Sequence, residues 1–315
     1  MRSLKNVFKY VLLDLALAGL ILCVFALFHH VLPYMEKSKQ NEPTPVAAIP
    51  TPTPAPETAP EELSWREKFD ERFSNVTMRT DSSYVSKNVS VTISRHTAEK
   101  PCLVYYVADI YIADIDCFQT AFAANPSTQP IDELASESGA VLAINGDYCT
   151  NQTEGLLVRN GKLYLTEQTS CDICVLYYDG TIETYGPDEY SAEEIIARGP
   201  YQVWKFGPEL LEDGGGVKQS FNTSDALLQS HPRSALGYYE PGHYCFVVVD
   251  GRQPGYSDGL DMKAMAQLFS DLGCVSAYNL DGGASAGMAF LNRMYSRPSG
   301  DGRDVADILL IKEPD

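Results

Sequence analysis

Positive charge is scarce in this 315-residue chain. Lysine and arginine together number 24, against 42 aspartates and glutamates, which gives a formal net charge of −18 at pH 7. Nucleic acids and anionic lipid surfaces bind basic patches, so this balance argues against either as a partner of the folded domain. It is compatible with bound cations, or with a locally basic pocket inside an acidic shell.

The sequence also lacks the complete residue sets of several kinds of catalytic and metal centre. Of the five histidines, His29 and His30 lie in the apolar N-terminal region. Ser257 and Ser285 each stand in a Gly-x-Ser-x-Gly pentapeptide, but neither has the setting of a nucleophile elbow, a sharp turn directly between a strand and a helix, so a Ser–His–Asp hydrolase is not favoured. No EF-hand loop is present, and no second Cys-x-x-Cys or histidine pair could complete a zinc site. We therefore predict no certain cofactor, although the many carboxylates are compatible with a divalent cation, Ca or Mg.

Cysteine is present in an odd number in the main domain. The chain has eight cysteines, and seven of them lie beyond residue 100, so at least one is free or pairs elsewhere. Cys171 and Cys174 form a single Cys-x-x-Cys pair. We expect a structural disulfide that involves one or both of them, rather than redox or zinc chemistry. The sequence leaves the partners open.

The first 32 residues have the composition of a membrane anchor. Residues 1–9 carry three basic side chains, and residues 10–32 are nearly all apolar, which is about the length that crosses a bilayer. The positive-inside rule places the N-terminus in the cytoplasm and the remainder of the chain outside. A cleaved signal peptide is the alternative, but no small-x-small cleavage site follows the apolar run. We predict a single-pass signal anchor in the cell membrane.

Residues 33–62 form a second compositional zone. Repeated Thr-Pro and Ala-Pro pairs favour extended polyproline II and are unsuited to helix or sheet. We predict a semi-rigid linker that holds an extracytoplasmic domain, residues 63–315, away from the membrane.

The domain shows strand patterns before a single helical crossover. β-Branched and aromatic residues alternate with polar ones over 83–94 and 103–115, and Asn160-Gly161 and Asp179-Gly180 mark the turns of two hairpins. A third hairpin is expected over 235–249. A short helix over 130–139 precedes an apolar strand at 140–145, and 304–312 forms the last strand.

Residues 245–280 predict strand, helix and strand, with Asp261 as the helix N-cap and Gly273 as its end. The fold class is therefore predicted as α+β. The expected architecture is a mixed, largely antiparallel β-sheet with packed helices and one strand–helix–strand crossover, preceded by one transmembrane helix.

Three clusters that combine an acid or amide with glycine follow predicted strands. Ligands bind beyond the carboxyl ends of strands in sheets with crossovers, and glycine lets the backbone approach a ligand closely. Each cluster alone is more often an ordinary turn, but three of one kind, two of them bracketing one crossover, predict a ligand site. The clusters are Asn145-Gly146-Asp147, Asp250-Gly251-Arg252 and Asn279-Leu280-Asp281-Gly282-Gly283.

Three arginines near these clusters could hold an anion. Arg233 opens a predicted strand, and a planar guanidinium suits bidentate contact with phosphate or carboxylate. The alternative is a surface salt bridge, which is expected where acids outnumber bases. Arg252 and Arg303 have the same two interpretations.

Four segments together resemble the phosphodiester glycosidase family. They are HPRSALGYY (231–239), VVVDGRQPGYSDGLDM (247–262), LGCVSAYNLDGGASAGM (272–288) and GRDVADILLI (302–311). AINGDYC (143–149), GLLVRNGKL (155–163) and FGPELLEDG (206–214) resemble its upstream motifs, so the resemblance covers about residues 85 to 312. The chain departs from the family at Ala284, where a third glycine is frequent, and at Cys149, where an aromatic is usual. Its predicted anchor is N-terminal, whereas a mammalian member has a C-terminal one.

The resemblance implies a hydrolase that cleaves the glycosidic bond of sugar-1-phosphate diesters, GlcNAc-1-phosphate-like, in cell-surface glycans or exopolysaccharide of a bacterium. The resemblance places Asn145, Asp147, Arg233, Asp250, Arg252, Asn279, Asp281, Gly282 and Gly283 at motif positions expected around the active site. Because carboxylates act as stabilisers, bases or nucleophiles in glycosyl transfer, we assign Asp281 and Asp147 as nucleophile and base in either order, Arg233 with the Gly282-Gly283 backbone to the phosphate, and Asp250 to orienting Arg252 or the substrate. The predicted substrate-binding residues are Asn145, Gly146, Arg252, Ser257, Asn279, Gly282, Gly283, Ser285 and Arg303. Two alternatives stay open: a non-catalytic wall- or polysaccharide-binding module on a stalk, and a phosphodiesterase that acts at phosphorus.

Overall fold

A computed structural model describes residues 19, 45–49, 51, 63–123, 128–149 and 154–314. These residues form short helices and many strands. The helices are α1 (Trp65–Lys68), α2 (Ile131–Glu137), α3 (Ala192–Arg198), α4 (Asp225–Leu228) and α5 (Met262–Asp271). The strands are β1 (Ala47–Ala48), β2 (Met78–Arg79), β3 (Ser83–Val85), β4 (Val89–Glu99), β5 (Cys102–Ile112), β6 (Phe118–Phe122), β7 (Leu142–Asn145), β8 (Leu156–Arg159), β9 (Lys162–Thr166), β10 (Ile173–Tyr177), β11 (Ile182–Tyr185), β12 (Pro200–Trp204), β13 (Leu211–Glu212), β14 (Gly216–Val217), β15 (Arg233–Glu240), β16 (His243–Val249), β17 (Ser276–Asn279), β18 (Met288–Phe290), β19 (Arg293–Met294) and β20 (Asp307–Ile311).

The strands are arranged in three sheets and one small hairpin. The seven-stranded sheet has the order β17-β15-β16-β5-β4-β3-β2, and the five-stranded sheet has the order β19-β18-β7-β20-β6. The six-stranded sheet has the order β1-β9-β8-β12-β10-β11, and β13 pairs only with β14. The predicted predominance of antiparallel pairing and the three predicted hairpins are confirmed. A mixed sheet is not formed, because no neighbouring strands in the described ranges are parallel.

The predicted strand–helix–strand crossover is confirmed, but its two strands are not neighbours in the sheet. Strands β16 and β17 both pair antiparallel with β15, so they run in the same direction with β15 between them. Asp261 caps helix α5 by accepting a hydrogen bond from the Ala264 N–H at 2.7 Å, and Gly273 follows the helix at φ +81°. The helix buries Met265 and Phe269 completely against the sheet, and each such side chain contributes about 1.5–3 kcal/mol to stability. This packing fixes where β16 ends and β17 begins.

The central core lies between the sheets and contains several large aromatic side chains. Trp204, Tyr244, Tyr278 and Phe118 are fully buried there, together with aliphatic side chains from β4, β5, β7 and β16. Buried tyrosines need partners for their hydroxyl groups, and Tyr278 has two, the Phe206 N–H as donor and the Asp172 carbonyl as acceptor. Tyr244 and Tyr278 thus serve packing in the core.

One part of the predicted linker belongs to the folded domain, which corrects the expectation that residues 33–62 form no sheet. Ala47 and Ala48 pair with β9 as an edge strand. The flanking Val46 and Ile49 N–H groups donate to the Leu163 and Gly161 carbonyls, and Ile49 is buried. The run Val-Ala-Ala-Ile between two prolines supplies the N–H groups that the Thr-Pro repeats lack, and this local interruption explains the difference.

The predicted anchor at residues 10–32 lies outside the described residues except for Gly19. In the ranges that the structure describes, no helix is both long enough and apolar enough to cross a bilayer. The expected disulfide at Cys171 or Cys174 is not formed, since all seven described cysteines are free thiols. Cys174 is fully buried within β10, where burial raises the pKa of its thiol.

Candidate active site

The predicted clusters meet because strand ends from two sheets face one another. Arg233 begins β15 opposite Val249, the last residue of β16, and Asn279 ends β17 two positions along. In the five-stranded sheet, Asn145 ends β7, and its amide donates to the Asp281 carbonyl at 2.7 Å. The two sheets are thus joined where the sequence pattern places its glycines and acids.

A cavity of about 240 Å³ opens at this junction. Its wall combines cations, glycines and a few apolar side chains, and Asp281 is the one carboxylate among the described residues that line it. The lining residues are Phe206, Leu227, His231, Arg233, Arg252, Leu280, Asp281, Gly282, Gly283, Ala284 and Arg303. A locally basic pocket therefore exists in a chain of net charge −18.

Arg233 is a buried cation held by neutral groups. Its Nε donates to the Leu260 carbonyl, and its Nη2 donates to the Leu227 and Gln229 carbonyls. Burial lowers the pKa of Arg233 to about 10, which leaves it protonated at neutral pH. No carboxylate in the described ranges forms an ion pair with it, so its charge remains available to an anion in the cavity.

A hydrogen bond to His231 holds the Arg252 guanidinium at the cavity. The His231 Nε2 lies 2.8 Å from the Ala226 carbonyl, which can only accept, so Nε2 carries the proton. Nδ1 then accepts from the Arg252 Nη2 at 3.3 Å. Arg252 itself has φ +57°, a conformation that non-glycine residues adopt rarely and that clusters at functional sites. His231 thus orients the guanidinium.

The two glycines after Asp281 provide space rather than hydrogen-bond donors. The Gly282 N–H donates to Asp281 Oδ1 and the Gly283 N–H to the Pro232 carbonyl, so the predicted backbone contact with phosphate is not available in this arrangement. A Cβ at Gly282 would lie 2.7 Å from the Pro232 oxygen, and one at Gly283 would lie 3.0 Å from Arg252 Nη1. The absence of these side chains lets Arg252 lie against the loop.

Asp281 is held in place by two donors. Its Oδ2 accepts from the Arg303 Nη2 at 2.7 Å, and its Oδ1 accepts from Gly282 at 2.8 Å. Arg303 also donates from Nε to the Ser285 Oγ at 2.7 Å, and its guanidinium lies over the exposed Tyr148 ring. Both carboxylate oxygens therefore accept hydrogen bonds, which suits a base or nucleophile rather than a proton donor.

Asp147 lies behind the cavity in a buried charge network. Its Oδ1 accepts from the Arg159 Nη2 at 2.7 Å, and its Oδ2 accepts from the Lys205 N–H at 2.6 Å. The same Nη2 lies 3.3 Å from Asp307 Oδ2. All three charged side chains are at most 1% exposed. As a result, Asp147 does not line the cavity, and its predicted role as nucleophile or base has no direct route to a substrate there.

This buried network also contains the one cluster of possible metal ligands among the described residues. Ligand atoms of Asp147, Cys149 and Asp307 lie within 4.8 Å of one another. Ca and Mg take six or more oxygen ligands, whereas this group offers a thiol and two carboxylates already bound to Arg159. The donor set therefore does not fit the Ca or Mg that the sequence allows.

Asp250 and Ser257 stabilise the loop after β16. The Asp250 carboxylate accepts from the Tyr256 hydroxyl and the Arg297 N–H, so it does not orient Arg252 as expected. Ser257 donates to the Asp250 carbonyl and accepts from the Val104 N–H. Both residues are buried outside the cavity wall.

The amide side chains and Gly146 support the cavity from behind. Asn279 donates to the Gly207 carbonyl, and its Oδ1 has no partner in the described ranges. Asn145 ties the Asp281 carbonyl to the Gly287 N–H. A Cβ at Gly146 would lie 2.3 Å from the Asp307 carboxylate. These residues place the Asp281 loop, and none of them lines the cavity.

Sequence reasoning missed His231, Phe206 and Leu227 in the cavity wall and Arg159 and Asp307 behind it. His231 precedes Arg233 by two positions, which was a usable signal. Arg159 lies in a hairpin strand, and nothing local indicates that it reaches Asp147.

Asp307 should make stability depend on pH. Burial, and then the charge of Asp147, raise its pKa to about 7, above the ordinary value near 4. The folded state therefore binds more protons than the unfolded state between about pH 4 and 7, and the free energy of unfolding should fall as pH rises through that window. In urea titrations across it, Asp307→Asn should flatten this fall, whereas Asp304→Asn, at an exposed position, should not. Parallel pH profiles for the wild type and Asp307→Asn would contradict the assignment.

Comparison with known proteins found a matching family and a similar curated protein. The model of the phosphodiester glycosidase family matches residues 138–312. An uncharacterized protein of Bacillus subtilis, the SPbeta prophage-derived YomE, is 30% identical over 273 residues, which is 82% of this chain and 42% of YomE. The chain thus spans less than half of that relative.

Among solved structures, this chain superposes on a zebrafish catalytic domain with a TM-score of 0.58 at 20% identity. That domain is from N-acetylglucosamine-1-phosphodiester alpha-N-acetylglucosaminidase and is auto-inhibited by its pro-peptide. The match covers 71% of this chain and 83% of that one, and it shows a shared fold. The family model covers more than half of the chain and includes every strand that borders the cavity. This protein belongs to the phosphodiester glycosidase family.

Proposed function

We propose that this protein hydrolyses the glycosidic bond of sugar-1-phosphate diesters, with a GlcNAc-1-phosphate-like sugar, in cell-surface glycans or exopolysaccharide. The observation that carries the proposal is the convergence of Arg233, Arg252 and Arg303 on one cavity beside Asp281. Guanidinium groups suit phosphate oxygens, and a carboxylate suits an oxocarbenium-like transition state. Membership of the family supports the same chemistry.

Arg233 and Arg252 form the proposed phosphate subsite. Neither has a carboxylate partner in the described part of the chain, whereas Arg303 is paired with Asp281. A phosphodiester carries one negative charge, and the phosphomonoester that leaves carries nearly two. Two unneutralised guanidinium groups therefore interact more strongly as the bond from the anomeric carbon to oxygen breaks, which is the differential stabilisation that catalysis needs.

Asp281 is the proposed carboxylate of the reaction. The phosphate leaves as a weak base, so protonation by a general acid matters less than for an ordinary glycoside. A base that activates water on the opposite face gives inversion, and a nucleophile gives retention. With Asp281 as the one carboxylate in the described cavity wall, the inverting route requires fewer groups. We propose Asp281 as the base, and the anomer of the released sugar tests this.

Arg252→Ala should raise KM for the diester about 10- to 100-fold, because it removes a charge-assisted hydrogen bond. The affinity for a phosphate-free glycoside competitor should be unchanged. Arg293→Ala, which removes the same side chain at a position 72% exposed, is the control and should leave KM unaltered. Equal loss of affinity for charged and neutral ligands in Arg252→Ala would argue against a phosphate subsite.

The activity itself is tested with the full chain in detergent and a synthetic GlcNAc-1-phosphate diester. We expect free sugar and a phosphomonoester as products. Binding of the diester without turnover would instead favour a non-catalytic glycan-binding module. Membrane attachment through residues 10–32, with the catalytic domain outside the cell and no nucleic-acid partner, is part of the proposal. It is supported by the apolar run, the flanking charges and the net charge of −18.

A further inference from the structure

Two of the seven free thiols lie next to each other in the core. The Sγ atoms of Cys245 and Cys274 are 3.6 Å apart, although the residues are 29 positions apart in the chain. Cys245 is in β16, and Cys274 lies between the end of α5 and the start of β17. Both are at most 2% exposed.

A glycine in the intervening strand makes room for this pair. Gly237 of β15 lies opposite Cys245 on one side and Ala277 of β17 on the other. A Cβ at Gly237 would lie 2.6 Å from the Cys245 Sγ and 2.8 Å from the Cys274 Sγ. The two sulfur atoms thus occupy the volume that a side chain at this position would fill, and they meet over the strand.

The surroundings of the pair disfavour separate thiolates. Burial raises the pKa of the Cys245 thiol, and the neighbouring Cys274 raises it further. Burial and the two sulfur atoms also raise the pKa of the Tyr239 hydroxyl. No described carboxylate or cation forms an ion pair with either sulfur. The nearest group with which each thiol can react is therefore the other thiol.

We propose that Cys245 and Cys274 form a disulfide when the chain folds under oxidising conditions. A thiolate of one cysteine attacks a low-molecular-weight disulfide and releases one of its thiols. The other cysteine then attacks the mixed disulfide and releases the second thiol, so two cysteine thiols are oxidised and one external disulfide is reduced. The bond forms before the core closes over it.

The bond would link β16 to the segment just before β17, and the ends of these two strands lead to the cavity. It closes a loop that contains the Asp250-Gly251-Arg252 segment and the whole of α5, and it ends just before β17, which leads to Asp281. Closing this loop restricts the unfolded chain and stabilises the folded one. The inference does not depend on the proposed hydrolysis, because the pair would form in an inactive protein of the same fold.

The test is refolding of the reduced, unfolded full chain in detergent with a mixture of reduced and oxidised glutathione. Free thiols are then blocked with N-ethylmaleimide in a denaturant, so that buried thiols react as well, and the protein is digested for mass spectrometry. We expect one cross-linked peptide pair, with Cys245 in one peptide and Cys274 in the other, while Cys171 and Cys174 carry the blocking group. Dithiothreitol should lower the Tm of the oxidised wild type by about 5–15 °C and leave that of Cys274→Ala unchanged.

The matched control is Cys117→Ala, which removes another buried thiol and should retain both the cross-link and the response to dithiothreitol. Recovery of Cys245 and Cys274 as separately blocked peptides would overturn the proposal. So would a cross-link between either of them and any other cysteine. The peptide result on the wild type decides the matter even if a variant does not fold.

Discussion

Asp281→Asn should abolish hydrolysis of a sugar-1-phosphate diester, with a fall in kcat of about a thousandfold or more. The amide cannot take a proton from water or attack the anomeric carbon. The single amide oxygen can accept the hydrogen bond from Gly282 or the one from Arg303 but not both, and Arg303 keeps its hydrogen bond to Ser285, so the fold should be retained. KM should change little, because Arg233 and Arg252 still face the cavity. Steady-state kinetics on the purified variant, with circular dichroism as the folding check, measures this.

The control for this variant is Asp213→Asn, the same chemical change in the exposed turn between β13 and β14. It should have wild-type kcat and KM. A folded Asp281→Asn protein that turned over the diester at the wild-type rate would remove Asp281 from the chemistry and leave its pairing with Arg303 as a structural contact.

Arg159→Met should have the largest effect on stability. Arg159 is the cation that contacts both Asp147 and Asp307 inside the core, where all three side chains are at most 1% exposed. Removing the cation leaves two buried carboxylates facing each other, and breaking a buried pair in this way lowers the free energy of unfolding by about 3–5 kcal/mol. Urea titration at neutral pH measures the loss, and adding Asp307→Asn to the variant should recover part of it.

Arg198→Met is the matched comparison, because Arg198 pairs with Glu183 at side-chain exposures of 42% and 35%. Such surface pairs contribute about 1 kcal/mol or less. If the two methionine variants were equally stable, the buried network would not be the support of the cavity that the structure indicates.

Local sequence signals predicted the hairpins and the helix that end at a turn or cap residue. The hairpins follow from Asn160-Gly161 and Asp179-Gly180, and α5 follows from Asp261 and Gly273, because turn and cap residues act within a few positions. The edge strand at Ala47–Ala48 was missed, because its formation depends on the free edge of β9 rather than on the prolines that surround it.

The candidate site was predicted in its position and only partly in its roles. Asp281, Arg252 and Arg303 line the cavity, as their places at strand ends and in motifs suggested. Asp147 has the same local setting as Asp281, yet it is buried, because Arg159 from another hairpin neutralises it. Asp250 is likewise occupied by distant partners, Tyr256 and Arg297. Which carboxylate faces solvent and which faces an arginine is decided by tertiary contacts that no local pattern encodes.

Isotope labelling distinguishes cleavage at the anomeric carbon from cleavage at phosphorus. The full-length protein is incubated with a GlcNAc-1-phosphate diester in water enriched in ¹⁸O, and the phosphomonoester product is analysed by mass spectrometry. The phosphate does not exchange oxygen with water readily, so it reports the route better than the sugar hydroxyl does. Cleavage between the anomeric carbon and oxygen predicts an unlabelled phosphomonoester. A labelled phosphomonoester would rule out glycosidic cleavage and assign the chemistry to phosphorus.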